Sequence, residues 1–281
     1  MKAVFQKDEA FLADVRRVLA SSGRAIWWLG QSGFLFVQNG RALVFDPYLS
    51  DSLTRKYANT DKPHTRISER VVAPAALGDL RIIDLITSSH NHTDHLDGET
   101  LLPLLASNLQ ARLVIPSANR DFVLDRLGLD ISSRLMELDA GTSVRWGALK
   151  IHGIASAHPK VERDAAGRCL FLGYVVEWDG LTLYHSGDTL RHEGLVSSLQ
   201  RFRIHVALLP INGDRPERRV AGNLDGAQAA QLARAMGARL VIPCHYELFE
   251  FNTATPDDFV AECKRLQQPY RILGNGEGWE L

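Results

Sequence analysis

The distribution of hydrophobic and polar positions divides the first part of the chain into one helix and several strands. Apolar residues recur every three or four positions over 7–21, which predicts an amphipathic helix. Short apolar runs separated by glycine-containing turns predict strands at 25–30, 33–38 and 42–46. Asn39-Gly40 is typical of a two-residue hairpin turn, so the second and third of these strands are predicted to pair.

Strands and helices alternate in the rest of the chain, after a polar, proline-containing segment at 47–78 that is predicted to be a loop. Strands are predicted at 82–89, 112–116, 134–138, 142–146, 149–156, 169–178, 181–186, 204–210, 239–243 and 270–273. Helices are predicted at 98–108, 118–127, 224–236 and 257–267, and polar loops at 157–168 and 211–223. This mixture favours an α/β fold in which helices cover both outer faces of a two-sheet sandwich.

The composition argues against a general nucleic-acid-binding protein and against a membrane-spanning protein. The 281 residues include 32 lysines and arginines against 33 aspartates and glutamates, so the net charge of -1 argues against general nucleic-acid binding. No apolar run approaches the roughly 18 residues of a membrane span. Three separated cysteines and a charged N-terminus without a signal peptide predict a cytoplasmic protein. Length alone allows one domain or two, and a homo-oligomer remains open.

The candidate chemistry lies in the segment His90-Asn91-His92-Thr93-Asp94-His95, between a predicted buried strand and a helix. Side chains two positions apart on an extended chain point the same way, so His90 and His92 can bind one ion. Asp94 and His95 are adjacent and can turn towards a second ion. Imidazole and carboxylate are ligands of zinc, manganese and iron, and no cysteine joins them.

Three further candidate ligands each follow a predicted strand: His158, Asp188 and His245. We predict one site made of His90, His92 and His158. We predict a second site made of Asp94, His95 and His245, with Asp188 bridging the two ions. Because these residues span both halves of the chain, residues 1–281 are predicted to form a single domain.

The order of these motifs resembles that of the metallo-β-lactamase superfamily. His-x-His-x-Asp-His, a lone histidine, Ser186-Gly187-Asp188 and a final histidine follow one another as in that superfamily, over roughly residues 25–250. The resemblance implies a four-layer αβ/βα sandwich with the metals at one edge of the two sheets. Segments 28–33, 209–213 and 242–249 are similar to the ascorbate-6-phosphate lactonase-like branch, which often uses manganese or zinc.

Other branches of the superfamily differ from this chain. Secreted zinc β-lactamases carry a cysteine in the second site, and flavodiiron proteins have glutamate where this chain has His92. The long basic arm of tRNA 3′-end nucleases and the C-terminal helical domain of glyoxalase II have no counterpart in this sequence. These departures argue against those branches.

Two divalent ions, zinc or manganese with iron as an alternative, are predicted to hold a bridging hydroxide that Asp94 orients. Their charge exceeds that of Asp94, Asp188 and the hydroxide by about one unit, which favours an anionic substrate. We therefore expect hydrolysis of a small anionic lactone or ester, such as a sugar-phosphate lactone. The alternatives are a phosphodiesterase acting on a nucleotide or phospholipid, and a non-hydrolytic di-iron redox or metal-binding protein.

Further residues receive supporting roles. His192 and His64 lie in loops and are candidates to protonate a leaving group. Asp46 resembles the superfamily's aspartate that hydrogen-bonds a ligand histidine, and Asp97 and His185 are candidates for the same role. Residues with hydrogen-bonding side chains near the predicted site are expected to bind substrate: Asn212, Arg215 and Tyr246.

Overall fold

The structure, a computed structural model, describes residues 1–21, 23–62, 64–128 and 131–281. Its strands form two mixed β-sheets. One sheet contains β1 (Arg24–Gly30), β2 (Gly33–Gln38), β3 (Arg41–Phe45), β4 (Ile83–Thr87), β5 (Arg112–Pro116), β6 (Leu135–Leu138) and β13 (Gly278–Glu280). The other contains β7 (Ser143–Trp146), β8 (Leu149–Ala155), β9 (Leu172–Trp178), β10 (Leu181–His185), β11 (Val206–Pro210) and β12 (Leu240–Cys244).

Strand order brings several carboxyl ends to one edge of the sandwich. The first sheet runs β13-β1-β2-β3-β4-β5-β6, and β3 to β6 are parallel neighbours. The second runs β12-β11-β10-β9-β8-β7, and β10, β11 and β12 are parallel. Loops at the carboxyl ends of parallel strands are where α/β proteins place their sites.

Helices flank the sheets on both outer faces. They are α1 (Asp8–Ala20), α2 (Ser52–Tyr57), α3 (Pro74–Gly78), α4 (Gly98–Ser107), α5 (Arg120–Leu127), α6 (Leu195–Gln200), α7 (Gly226–Met236) and α8 (Asp257–Leu266). None of them, within the described ranges, has the length and apolar character needed to cross a bilayer.

Two neighbouring tryptophans in β1 show how the layers are assembled. Trp27 packs with α1, where its indole nitrogen donates to Asp14 and its ring meets Phe11 edge-on at 6.5 Å. Trp28 points to the opposite face, into the core between the two sheets, where it stacks on Tyr246 at 4.6 Å. Successive side chains of a strand alternate in this way, so a strand buried on both faces is apolar throughout. The predicted four-layer sandwich is confirmed.

Two predicted elements were wrong. Segment 47–78 is not all loop, because it contains α2 and α3; these helices of six and five residues are too short for a helical repeat of apolar positions to show. Segment 270–273 is not a strand. It makes only an isolated bridge from Tyr270 to Val241, and the chain then turns at Gly276 (φ +84°). The terminal strand is instead β13, which pairs with β1.

Candidate metal centre

All seven predicted ligands lie together in loops that follow strands of both sheets. The histidine-rich segment follows β4 and leads to α4, whereas His158, Asp188 and His245 follow β8, β10 and β12. Six of the seven side chains are buried, and His92 is the exposed member. Both sheets therefore supply side chains to one cluster.

The cluster contains two groups of three ligand atoms, and a third group of His90, His95 and Asp188 links them. Ring nitrogens of His90, His92 and His158 lie within 4.8 Å of one another, and so do the ligand atoms of Asp94, His95 and His245. Asp188 reaches both groups. Its Oδ1 lies 3.3 Å from His95 Nε2, and its Oδ2 lies 3.4 Å from His245 Nε2 and 3.8 Å from His158 Nε2.

These separations fit divalent cations. Ligand atoms bonded at about 2.0–2.2 Å to one ion, at the angles of about 90–120° found in four- to six-coordinate sites, are about 2.8–3.8 Å apart. The five distances from Asp188 and Asp94 to the neighbouring histidines run from 3.3 to 3.8 Å. His90 Nε2, His95 Nε2 and Asp188 Oδ1 are buried and lack a hydrogen-bond partner among the described residues. Buried polar atoms are rarely left unpaired, so their convergence indicates a site for cations.

Asp46 lies directly behind this cluster, at the end of β3. Its carboxylate is fully buried and accepts hydrogen bonds from His95 Nδ1 at 2.7 Å and from Thr87 Oγ1 at 2.7 Å. Burial opposes the charge, but His185 and His95 nearby lower the pKa of Asp46 to about 2. Asp46 is therefore ionised, and it fixes His95 with Nδ1 protonated and Nε2 directed to the site.

Two other histidines are oriented in the same manner. The Ser89 hydroxyl donates to Asp46 and lies 2.9 Å from His90 Nδ1, from which it accepts. His158 Nδ1 lies 2.9 Å from the carbonyl oxygen of Gly222, to which it donates. Each ring thus presents Nε2 to the cluster, as metal ligation requires.

The buried charges attract a positive species. Burial raises the pKa of Asp188, but His245 and His95 outweigh it and hold that pKa well below its ordinary value. Burial likewise lowers the pKa of His95, yet Asp188 and Asp94 hold it well above the usual value for histidine. These carboxylates favour a positive charge beside them, and a divalent ion bound there would replace any proton held on a ligand histidine.

A cavity of about 390 Å³ opens onto the cluster. His92, Asp94, His158, Asp188 and His245 form its floor. The walls combine apolar and basic side chains: Leu53, Lys56, Tyr57, Phe122, Arg126, Val220 and Phe249. Such a cavity is of the size and composition of small-molecule sites.

The two candidate proton donors lie in different places. His64 lines the cavity, packs against Tyr57 at 4.6 Å, and has Nδ1 2.8 Å from the Lys62 carbonyl oxygen. His192 lines a separate surface groove, where its two ring nitrogens lie within 2.9 Å of the carbonyl oxygens of Glu193 and Ala155. The structure therefore brings only His64 to the cavity.

Asp97 and His185 are buried near the cluster but do not contact ligand histidines. Asp97 precedes α4 and accepts hydrogen bonds from Ser52 and Thr100. His185 stacks on Phe45, and its Nε2 donates to the Ser32 carbonyl oxygen. Of the three candidates for this role, Asp46, Asp97 and His185, only Asp46 hydrogen-bonds a predicted ligand histidine.

The three predicted substrate contacts do not line the cavity. Asn212 is buried and bonded to Asn252 and Asn223. Tyr246 is buried against Trp28, and its hydroxyl donates to the Leu273 carbonyl. Arg215 is exposed, at the start of a short turn of helix. All three residues follow β11 or β12, and none of them lines the cavity.

Several cavity residues were not identified from the sequence. Lys56 comes from α2, which had been predicted as loop, and Arg126 comes from α5. Gln31 follows β1 and lies 2.8 Å from Asp94. In the sequence, the segment containing Gln31 is similar to the lactonase-like branch, but neither charge nor spacing identifies this residue as part of the site.

Comparison with known proteins places the chain in a family. Residues 41–246 match the β-lactamase superfamily domain. The chain is 30% identical to a UPF0173 metal-dependent hydrolase of Myxococcus xanthus, over 88% of this chain and 78% of the relative. It is also 30% identical to one from Opitutus terrae, over 90% of this chain and 98% of the relative.

Solved structures share the fold at low identity. The metallo-hydrolase Igni18 from Ignicoccus hospitalis has a TM-score of 0.65 at 20% identity, covering 92% of this chain and 98% of that one. The di-iron β-hydroxylase CmlA from Streptomyces venezuelae has a TM-score of 0.64 at 14% identity, covering 92% of this chain and 54% of that one. These likenesses describe the fold alone.

The chain belongs to the β-lactamase superfamily, and within it to the UPF0173 metal-dependent hydrolases. The predicted superfamily is therefore confirmed, and the class of function is that of a metal-dependent hydrolase. The lactonase-like branch stays a prediction.

Proposed function

We propose that this protein binds two divalent ions and hydrolyses a small anionic ester or lactone. The observation that supports this most directly is the position of Asp188, whose two oxygens each face ligand histidines of the cluster. A carboxylate placed in this way is suited to bridge two cations. Two such ions, when bound, supply an activated water and polarise the oxygen of the substrate's carbonyl.

We divide the proposed ligands between the two ions. His90, His92 and His158 serve the first ion. Asp94, His95 and His245 serve the second ion, and Asp188 contributes to both. Because this cluster draws on both sheets, we also propose that residues 1–281 act as one domain.

The cavity walls support an anionic substrate with an apolar part. Lys56 lines the cavity, with its ammonium 3.3 Å from Thr93 Oγ1. Arg126 also lines it and donates to the carbonyl oxygen of Asn91 at 2.7 Å. Both cations can hydrogen-bond a carboxylate or phosphate, whereas Tyr57 and Phe249 offer apolar contact. A sugar-phosphate lactone remains one member of this class.

Two sets of model substrates test the type of bond. Small carboxylated or phosphorylated lactones and esters are compared with bis-p-nitrophenyl phosphate, using metal-loaded wild-type protein, Asp94→Ala and the control Asp84→Ala. Asp84 lies on β4 and pairs with Arg41 at the surface, away from the cavity. We expect ester or lactone cleavage that Asp94→Ala abolishes and the control retains.

The other outcomes identify the alternatives. Faster cleavage of the phosphodiester would favour the phosphodiesterase alternative. Absence of hydrolysis together with reversible one-electron chemistry of bound iron would favour the di-iron alternative. Activity that survives Asp94→Ala would contradict the proposed site itself.

A further inference from the structure

Gln31 occupies a fixed position beside the second ligand group. It lies in the turn between β1 and β2 at φ +49°, and only 3% of its surface is exposed. Its backbone carbonyl accepts hydrogen bonds from the His245 amide at 2.8 Å and from the Trp28 indole at 3.0 Å. The backbone of Gln31 is therefore anchored to the strand end that carries His245.

The side-chain amide of Gln31 points into the second group. Its Nε2 lies 2.8 Å from Asp94 Oδ2 and 3.0 Å from His245 Nε2. Neighbouring ligands of a five- or six-coordinate ion with bonds of about 2.1 Å are about 3 Å apart. The end of the Gln31 side chain thus stands where a further ligand of an ion held by Asp94 and His245 would stand.

An amide can present either of two atoms to this position. Half a turn about the last side-chain bond exchanges the nitrogen donor for the oxygen acceptor, with no change in the backbone. Without a cation the Asp94 carboxylate, 2.8 Å away, favours the nitrogen because a carboxylate oxygen accepts and an amide N–H donates. A divalent ion at the same place favours the oxygen, because the carbonyl oxygen has lone pairs to offer and the amide nitrogen does not.

We propose that Gln31 is a ligand of the second ion through its amide oxygen. This inference rests on the proposed two-ion function and extends its ligand set. With Gln31 included, the second site offers oxygens from Asp94, Asp188 and Gln31 besides the nitrogens of two histidines. Oxygen ligands and a higher coordination number suit manganese better than zinc, which is commonly four-coordinate.

A simpler role for Gln31 would be to hold Asp94 by its N–H group. In that case loss of the amide would disturb Asp94 and lower the affinity of the second site for every metal ion by a similar factor. A ligand role has a different signature, because a lost oxygen affects manganese more than zinc. The ratio of the two affinities therefore separates the roles, independently of activity.

The test is a calorimetric titration of metal-depleted protein with Mn²⁺ and, separately, with Zn²⁺. Wild-type protein is compared with Gln31→Leu and with the control Gln38→Leu. Gln38 is also a buried glutamine with an amide hydrogen bond, to the Trp178 carbonyl, but it lies outside the cavity. We expect Gln31→Leu to raise the Kd of the second Mn²⁺ about 10- to 100-fold, with a smaller rise for Zn²⁺ and an unchanged first ion.

An equal loss of affinity for Mn²⁺ and Zn²⁺ would overturn the proposal. So would a change in Kd no larger than the one that Gln38→Leu causes. If Gln31→Leu fails to fold, Gln31→Glu replaces it, since glutamate keeps an oxygen at this position. It should bind the second Mn²⁺ at least as tightly as wild type, and weaker binding would overturn the ligand role. If wild-type protein binds fewer than two ions, the proposed two-ion function itself is wrong. If wild-type protein binds two ions and Gln31→Leu leaves both affinities unchanged, only the inference about Gln31 is rejected.

Discussion

His95 Nδ1 donates a hydrogen bond of 2.7 Å to Asp46 Oδ2, and neither side chain is accessible to solvent. The two residues come from adjacent parallel strands of the first sheet, since Asp46 ends β3 and His95 belongs to the loop that follows β4. This pair determines which nitrogen of His95 faces the metal cluster.

Replacing Asp46 with alanine should weaken metal binding although Asp46 is not a proposed ligand. We expect the affinity for Mn²⁺ or Zn²⁺ to fall about 10- to 100-fold, because His95 loses its orienting partner. Equilibrium dialysis against a competing chelator measures the effect, with Asp84→Ala as the control. Equal affinities of the two variants would contradict the role of Asp46.

We predict that position 187 requires glycine because its backbone lies too close to Ser89 for a side chain. Gly187 has φ +58°, and a Cβ added there would lie 2.5 Å from Ser89 Cβ, the residue that orients His90. Gly180 has a similar φ of +82° but open space around it, so Gly180→Ala carries the backbone strain alone. Gly187→Ala should lower the free energy of unfolding by about 1–3 kcal/mol more than Gly180→Ala, as chemical denaturation would measure.

Gly187→Ala should also weaken metal binding, because a displaced Ser89 disturbs both His90 and Asp46. Equal stability of the two glycine variants would show that the Ser89 contact has no structural consequence.

Metal affinity should rise with pH. In the protein without metal, burial lowers the pKa of His95, but Asp188 and Asp94 hold that pKa well above its ordinary value. The pKa of His245 is raised by the same carboxylates against the effect of burial. Since a ligand histidine must be neutral, an ion has to displace these protons at any pH below the raised values.

The apparent Kd should therefore fall about tenfold per pH unit for each displaced proton, at pH values below the raised pKa values of His95 and His245. Calorimetry in buffers of different ionisation enthalpy counts the protons released. A Kd that does not change with pH, together with no proton release, would contradict protonation of these histidines in the free protein.

Lys56 should determine the preference for a charged substrate. Lys56→Met retains most of the side-chain volume but removes the positive charge from the cavity wall. We expect KM for an anionic ester to rise about tenfold while KM for its uncharged analogue changes little. Lys150→Met, on β8 outside this cavity, is the control. Equal changes for charged and uncharged substrates would argue against a direct contact with Lys56.

The metal cluster could be predicted from the sequence because its members end strands and are spaced as ligands are. The segment His90 to His95 is recognisable because it concentrates histidine and aspartate within six residues. Asp188 and His245 are recognisable because each follows an apolar run. The layers of the fold followed from apolar strands buried on both faces.

The rest of the site depended on contacts that no local pattern records. Lys56 reaches the cavity from α2, a helix too short to show periodicity, and Gln31 reaches it from a turn. His192 and Tyr246 are near in sequence to site residues, yet the structure turns both towards backbone carbonyl oxygens elsewhere. Loop conformation and side-chain direction therefore decide substrate contacts, and tertiary structure sets both.

The two-ion account is tested most directly by titrating metal-depleted protein with Mn²⁺ while following hydrolysis of an anionic lactone or ester. The account predicts no turnover without metal and a rise in activity that ends at two equivalents of ion per chain. It also predicts that Asp188→Ala, which removes the carboxylate between the two ligand groups, lowers the number of tightly bound ions. Full activity at one equivalent, or activity in the absence of metal, would contradict it.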